Sequence, residues 1–286
     1  MSTTTIPPTP TRPPGVADPR RNPQRDDTTD TVPDHTGSPA SRVLGVLALV
    51  AVALASLYGL LWSPPEVEMG DSVRLMYVHV PAAVFLYVGC FITSVASGFW
   101  LRKRTPGWNV LAGAAGEIAL VLAVLTLGTG MIWGRPTWGA YWVWDARLTT
   151  TALLALLLVG YLALRRLDAD PSMPSSRAAV LGLLLIPNVI LVNRSVEWWR
   201  SLHQEATVST LDPQIDGNLL GALMVGFLAF GLVFAWLLVH RFRVGWLEYQ
   251  AARLDLDRAV AARRAEAGVI EPQEGTAATE TEVKST

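Results

Sequence analysis

The sequence predicts an all-α integral membrane protein with six transmembrane helices, both termini in the cytoplasm and a disordered N-terminal tail. Hydrophobic residues make up 51% of the 286 positions and charged residues only 16%, which is too apolar for a typical soluble domain. The chain also contains six segments of about 20 mostly apolar residues, the length that crosses a bilayer as a helix. A third observation, the distribution of Lys and Arg, predicts the orientation.

The six predicted spans follow one another along the central part of the chain. They cover residues 43–62, 81–101, 110–133, 148–164, 178–199 and 219–240. An interfacial turn beginning at Arg74 is expected to lead into the second span, and Pro187 is expected to interrupt the fifth, because proline cannot donate a helical hydrogen bond. Glu117 in the third span is a functional candidate, since an acid within a membrane is costly; it is equally compatible with a protonated side chain or a position nearer the helix end.

Basic residues concentrate on one side of the predicted membrane. They follow the second, fourth and sixth spans, as Arg102, Lys103, Arg104, Arg165, Arg166, Arg177, Arg241 and Arg243, and they recur in the N-terminal tail. Because cytoplasmic loops carry an excess of Lys and Arg, this side is predicted to be cytoplasmic. The outer loops are then residues 63–73, 134–147 and 200–218.

Three regions are predicted along the chain. Residues 1–41 are rich in Pro, Thr, Asp and Arg and are expected to form a disordered cytoplasmic tail, without the apolar core of a secretory signal. Residues 42–245 form the six-helix membrane domain. Residues 246–286 are expected to form a cytoplasmic helix, amphipathic over 244–267, followed by a disordered tail. No feature indicates nucleic-acid binding.

The loop 134–147 is the most informative feature of the sequence. It contains the run Trp138-Gly-Ala-Tyr-Trp-Val-Trp-Asp145-Ala-Arg147. Tryptophan is common at membrane interfaces, so an anchoring belt is one explanation. Consecutive aromatic residues in one loop instead favour a platform for a flat apolar ligand with charged edges. Asp145 is expected to fix Arg147 or an indole N–H, or to cap the fourth helix.

Two of the four histidines fall on the same predicted side as this loop. His79 lies before Pro81, and His203 follows the fifth span. Two neutral imidazoles can occupy both axial positions of a haem iron, while arginine pairs with propionates. Arg74 and Arg147 are the candidate propionate partners. Each histidine can instead be an ordinary satisfied polar group, and the arginines can meet lipid phosphates.

Cysteine chemistry is nearly absent. The single cysteine, Cys90, lies within an apolar run, so the sequence has no disulfide framework and no covalent haem-attachment motif. Any haem is therefore expected to be non-covalent and b-type.

At these residues the chain resembles a known family. The run ending Trp144-Asp-Ala-Arg-Leu-Thr149 resembles the tryptophan-rich "WWD" signature of the cytochrome c maturation protein C family, also called haem exporter protein C. The segment from Arg74 to Pro81 resembles the family's first histidine segment, and Ser195 to Gln204 resembles the second. The resemblance covers roughly residues 43–245 and leaves both tails unassigned.

The resemblance implies a function in c-type cytochrome biogenesis. Haem would bind transiently at the outer face of a bacterial inner membrane and pass to a periplasmic haem chaperone. ATP-binding-cassette subunits, a small single-span partner and membrane lipids would be the other partners. The implied site consists of the axial ligands His79 and His203 together with Trp138, Gly139, Trp142, Trp144, Asp145, Arg74 and Arg147.

Two other functions fit the composition less well. A b-type redox cytochrome usually holds haem within the helix bundle, whereas both candidate histidines lie near one surface. A permease for an aromatic solute would require a polar path through the spans, for which the sequence offers few residues. We do not expect an enzyme, because no nucleophile–base pair or general acid pair is evident on the predicted outer face.

Overall fold

Six helical segments are long and apolar enough to cross a membrane, as the sequence predicts. The computed structural model describes residues 37–67, 69–167, 176–203 and 215–269. The candidate spans are Pro39–Trp62, Asp71–Lys103, Pro106–Trp138, Ala146–Leu167, Ser176–Trp198 and Gly217–Glu266. Within the described ranges there is no β-strand apart from an isolated bridge between Glu66 and Gly70. The all-α, six-span fold is therefore confirmed.

The first span begins earlier than predicted. Helix α1 runs Pro39–Leu57, and its N-terminal turn is closed by reciprocal hydrogen bonds between Ser38 and Ser41, with a proline at the first helical position. A π-helical turn, Tyr58–Trp62, ends the span. Residues 39–41, which were predicted to belong to the disordered tail, are therefore part of α1. The prediction for residues 1–36 lies outside the described part of the chain.

The second span places His79 inside a helix. A 3₁₀ turn, Asp71–Leu75, confirms the predicted turn near Arg74 and continues directly into helix α2, Met76–Lys103. Pro81 therefore lies within α2, where it leaves the Tyr77 carbonyl without its helical donor. Gly226 of the last helix packs against this carbonyl: a Cβ at position 226 would lie 2.8 Å from the Tyr77 oxygen.

The third helix shortens the predicted aromatic loop. Helix α3 runs Pro106–Trp138, so residues 134–138 are helical and only 139–145 connect it to helix α4, Ala146–Leu167. Gly139 ends α3 at φ 79°, a left-handed conformation that favours glycine. The prediction that the whole range 134–147 forms a loop was wrong. Pro136 does not end α3, because a proline near a helix C-terminus removes only one hydrogen bond there.

The predicted interruption of the fifth span is confirmed. Helix α5, Ser176–Leu183, and helix α6, Leu185–Trp198, are separated at Leu184. Pro187 has no N–H to donate to Leu183, so the backbone tightens and Leu184 donates to the Leu181 carbonyl instead.

The last helix is continuous from Gly217 to Val269. Helix α7 is 53 residues long, or about 80 Å, which exceeds the roughly 30 Å hydrocarbon core of a bilayer. The predicted amphipathic segment 244–267 is therefore the continuation of the sixth span. Glu117 of α3 accepts two hydrogen bonds from Arg241 of α7, one of them 2.9 Å long, so the intramembrane acid is paired with a cation.

The helices pack around a core that is largely aliphatic. Its fully buried members include Leu86, Leu154, Leu158 and Leu185, which come from α2, α4 and α6. Segments 139–145 and 199–203 meet at one end of the bundle, where Met69 of the preceding loop also lines a cavity with His203; we call this end the aromatic end. Short contacts across it, such as the hydrogen bond between Ser63 and Tyr77, join these loops to the helices.

We expect Gly226→Ala to destabilise the packing of α2 on α7. Its new Cβ would press on the Tyr77 carbonyl, and such overpacking costs about 1–3 kcal/mol. Gly128→Ala is the matched control, because a Cβ there has no heavy atom within 4 Å. Thermal unfolding in detergent should show a lower Tm for Gly226→Ala than for Gly128→Ala. Equal Tm values would contradict the close approach.

Candidate haem-binding site

His79 is held by helix α3. Its Nδ1 lies 3.0 Å from the Thr129 hydroxyl oxygen, and that hydroxyl donates to the Leu125 carbonyl at 2.7 Å. Because the hydroxyl proton is used in that bond, the Thr129 oxygen accepts from the His79 Nδ1–H. This arrangement leaves the Nε2 lone pair of His79 available for a ligand.

The His79 ring fits into a gap in the surface of α3. A Cβ at Gly130 would lie 2.9 Å from the Cε1 of His79, so a larger residue at this position would displace the imidazole. The indole of Trp133 packs edge-on against the imidazole, with 5.7 Å between ring centroids. The ring is therefore positioned by neighbouring turns of one rigid helix.

His203 is held by the last residue of α3 and by the loop that follows this helix. It lies beyond the C-terminus of α6, with its Nδ1 3.0 Å from a carboxylate oxygen of Asp145. Trp138, in the last turn of α3, packs edge-on against the imidazole at a centroid distance of 4.7 Å. The Nδ1–H therefore points to Asp145, which again leaves Nε2 as the free nitrogen.

Asp145 joins two segments that are far apart in the sequence. Its carboxylate accepts a hydrogen bond of 3.0 Å from the Arg147 backbone N–H, and this bond caps the N-terminus of α4. It also accepts from the Ser201 hydroxyl at 3.1 Å and the Leu202 backbone N–H at 2.9 Å. Helix capping was one of the predicted roles; the contacts with residues 201–203 were not predicted.

The electrostatics of this pair favour a neutral imidazole beside a charged carboxylate. Burial lowers the pKa of His203 below its usual value, although Asp145 acts in the opposite direction. Burial alone would raise the pKa of Asp145, but the hydrogen bonds from Leu202, Ser201 and the Arg147 backbone lower it overall. A neutral imidazole is the form that binds metals.

Both histidines line one cavity of about 290 Å³ at the aromatic end. Most of its wall is apolar, and α2, α3 and α4 contribute most of it. The other residues that line it are Met69, Met76, Val80, Ala83, Val84, Tyr87, Thr126, Leu127, Gly130, Met131, Trp133, Gly134, Thr137, Trp138, Arg147, Leu148, Thr151 and Asn193. The structure thus brings together four of the predicted site residues, His79, His203, Trp138 and Arg147.

Arg147 supplies a positive charge to the cavity wall. One of its terminal nitrogens donates to the Asn193 carbonyl at 3.4 Å, whereas its Nε is buried without a hydrogen-bond partner among the described residues. Thr126 Oγ1 and Trp133 Nε1, both on α3, are also buried without a described partner. Buried polar atoms are normally paired, so these three are among the exceptions in the described residues.

Other predicted residues lie away from the cavity. Arg74 donates to the Leu60 carbonyl at 2.6 Å and pairs with Asp71 at 3.1 Å, so its guanidinium braces the loop between α1 and α2. Trp142 and Trp144 pack against each other at 5.5 Å, and Trp144 is 83% exposed. Gly139 shapes the turn after α3, and a side chain there would have no neighbour within 4 Å.

The sequence reasoning missed the residues that position His79. Thr129, Gly130 and Trp133 all lie on α3, 50 or more positions after the histidine. One signal was available: Thr129 and Trp133 are four residues apart and therefore share a helix face, and two glycines flank Thr129.

This arrangement suits a metal that arrives already chelated. Among the described residues there is no group of three or more His, Cys, Asp or Glu that could hold a bare metal ion. Two imidazoles lining one apolar cavity instead match the two axial positions of an iron held in a planar macrocycle. The cation of Arg147 suits an acidic group at the edge of such a ligand.

Comparison with known proteins points to one family. The family profile for haem exporter protein C matches residues 32–256. Haem exporter protein C of Bradyrhizobium diazoefficiens is 40% identical over 197 residues, 68% of this chain and 75% of the relative. The proteins of the same name from Haemophilus influenzae and Escherichia coli K12 are 33% and 32% identical, over 74% and 70% of this chain and 87% and 81% of theirs.

We expect His203 to titrate below the ordinary histidine pKa of about 6.5. Asp145→Asn should lower this pKa further, because the carboxylate acts to raise it. Because the pKa of His203 is lowered in the folded protein, the unfolded chain binds this proton more readily. The free energy of unfolding should therefore decrease as the pH falls below about 6.5. NMR titration of histidine-labelled protein in detergent would measure both values. A pKa that rises in Asp145→Asn would contradict this account.

Proposed function

Because the chain belongs to the haem exporter protein C family, we propose that it binds haem at the aromatic end and presents it to a haem chaperone. Membership makes it a multi-pass membrane protein that handles haem in cytochrome c biogenesis. One observation carries the finer proposal. His79 and His203, from different segments, line the same apolar cavity, and each uses Nδ1 in a hydrogen bond that leaves Nε2 free.

The two histidines are the proposed axial ligands. When bound, haem supplies an iron whose two axial positions accept imidazole nitrogens. Thr129 orients the ring of His79, and Asp145 orients the ring of His203. Trp138, whose indole touches His203, is the tryptophan of the predicted platform best placed to contact the macrocycle.

Arg147 is the proposed propionate partner. Its guanidinium lines the cavity, and a terminal nitrogen makes a long hydrogen bond of 3.4 Å to the Asn193 carbonyl, so an incoming carboxylate would offer it a stronger partner. Arg74, the other predicted partner, already binds Leu60 and Asp71. We therefore propose that Arg74 stabilises the loop between α1 and α2, which also contains the cavity residue Met69.

Haem is proposed to bind without a covalent bond and to remain partly exposed. The cavity of about 290 Å³ is slightly smaller than typical ligand pockets, which measure roughly 300–1,000 Å³. The cysteine thiol that covalent haem attachment requires is absent from its lining, and Cys90 is buried in the core between helices. A b-type, exchangeable haem with an accessible edge suits transfer to another protein.

The aromatic end is proposed to face the periplasm from a bacterial inner membrane. The excess of Lys and Arg at the opposite end of the bundle supports this orientation, with both termini in the cytoplasm. The exposed indole of Trp144, which packs against the half-buried Trp142, then belongs to the surface that meets the chaperone. We also propose that the chain works with ATP-binding-cassette subunits and a small single-span partner, as its relatives' name of haem exporter supports.

We expect His79→Ala and His203→Ala each to lose one axial ligand. Purified with haem in detergent, each variant should lose the six-coordinate low-spin spectrum, and its haem affinity should fall about 10-fold or more. His240→Ala is the control, because His240 packs on Trp236 of α7 and does not line the cavity. Full haem retention with an unchanged spectrum in both site variants would overturn the assignment.

Trp144→Ala should weaken chaperone docking and spare haem binding. A large aromatic side chain at an interface commonly contributes about 2 kcal/mol, so the affinity for the purified chaperone domain should fall by roughly 10-fold or more. Trp62→Ala is the matched control, since Trp62 is 82% exposed at the end of a different span, beside the same end of the bundle. Equal losses in the two variants would indicate that segment 139–145 has no special role.

A further inference from the structure

The two histidines of the site are held in unlike ways. His79 lies in α2, and its ring is fixed by Thr129, Gly130 and Trp133, all on α3. Both elements are continuous helices that pack closely on each other: a Cβ at Gly89 of α2 would lie 3.0 Å from the Cβ of Ala119. The position of His79 therefore depends on rigid secondary structure.

His203 packs on Trp138 at the end of α3, but its hydrogen bond comes from the aromatic segment, defined as residues 139–145. It follows α6, and its Nδ1 is bound by Asp145, the last residue of that segment. The same carboxylate binds Ser201 and Leu202, so it fixes the backbone on which His203 sits as well as the ring. Asp145 in turn continues a tight turn, in which its N–H donates to the Val143 carbonyl at 2.7 Å.

We propose that Asp145 is a positioning residue that makes the ligation by His203, and not that by His79, depend on the conformation of the aromatic segment. This inference rests on the proposed function, in which His203 and His79 are the axial ligands. The segment also carries the exposed Tyr141 and Trp144, so a partner that reshapes it would act on His203 through Asp145. His203 is then the ligand that detaches first, while His79 retains the haem until transfer.

The chemistry of the hydrogen-bond partners supports the same asymmetry. A carboxylate behind an imidazole fixes its tautomer and raises its basicity, and loss of such a partner typically lowers metal affinity about 10–100-fold. The Thr129 hydroxyl is neutral and polarises His79 less. Removing the Asp145 carboxylate should therefore change the iron's ligand field more than removing the Thr129 hydroxyl, because packing against Gly130 and Trp133 still holds His79.

The experiment compares Asp145→Asn with Thr129→Val in the full-length protein loaded with ferric haem in detergent. Asparagine caps helices as well as aspartate does, so α4 keeps its start. We expect the absorption and electron paramagnetic resonance spectra of Asp145→Asn to lose the bis-imidazole low-spin signal, and free imidazole to restore it. Thr129→Val should lose less of that signal, because Gly130 and Trp133 still hold the ring of His79.

A second pair of variants tests the role of the segment's conformation. Gly139 opens the segment at φ 79°, and Gly70 of another loop has φ 55°. A Cβ added at either position would have no neighbour within 4 Å, so the two sites differ little in the space they offer. Valine is strained at either φ. Gly139→Val should reproduce the spectral change of Asp145→Asn, including its reversal by imidazole, whereas Gly70→Val should not.

The outcomes separate this inference from the proposed function. If the alanine variants of both histidines leave the spectrum unchanged, the proposed function fails. If those variants alter it while Asp145→Asn and Gly139→Val keep the low-spin signal, the ligands stand and the positioning role of Asp145 is overturned. An equal loss in Thr129→Val would likewise overturn the asymmetry. Should Asp145→Asn fail to fold, Ser201→Ala removes one of the same bonds and should give a smaller loss.

Discussion

The carboxylate of Asp145 is the constraint on which the aromatic end depends. Its side chain is almost fully buried, and it satisfies donors from α4 and from the segment after α6 at the same time. Because a buried carboxylate without these donors would be costly, helix capping and the placement of His203 are not independent properties. The start of α4, the course of the aromatic segment and the orientation of one imidazole form a single hydrogen-bonded unit.

The other half of the site is built by close helix packing. Gly130 makes room for the His79 ring on α3, and Gly226 lets α7 approach the carbonyl that Pro81 leaves free in α2. Each glycine permits this close approach because it has no Cβ. Such an arrangement is stiff because helix backbones, and not long side chains, set the distances. The cavity therefore has one wall set by packing and another set by polar contacts.

The hydropathy of the chain was sufficient to predict the number and order of the spans, because a bilayer admits few backbone structures. Local chemistry predicted the break at Pro187 and the capping role of Asp145. Contacts between distant segments could not be predicted in the same way: Asp145 and His203 are 58 positions apart, and no periodic pattern relates them. Arg74 illustrates the limit, since its nearness to His79 in sequence suggested a shared ligand, whereas the Leu60 carbonyl at the end of the first span is its partner.

A protein that passes haem on must bind it well enough to collect it and loosely enough to release it. Two equally rigid histidines would favour retention, and two mobile ones would favour loss. In the proposed site, one ligand fixed on paired helices and one held through a surface segment would satisfy both needs, because release would then require a change at only one bond. The partner that receives haem would supply this change by binding the segment that holds Asp145. Affinity for the partner and weakening of the iron bond would thus be coupled through one carboxylate, and release would be confined to the moment of contact.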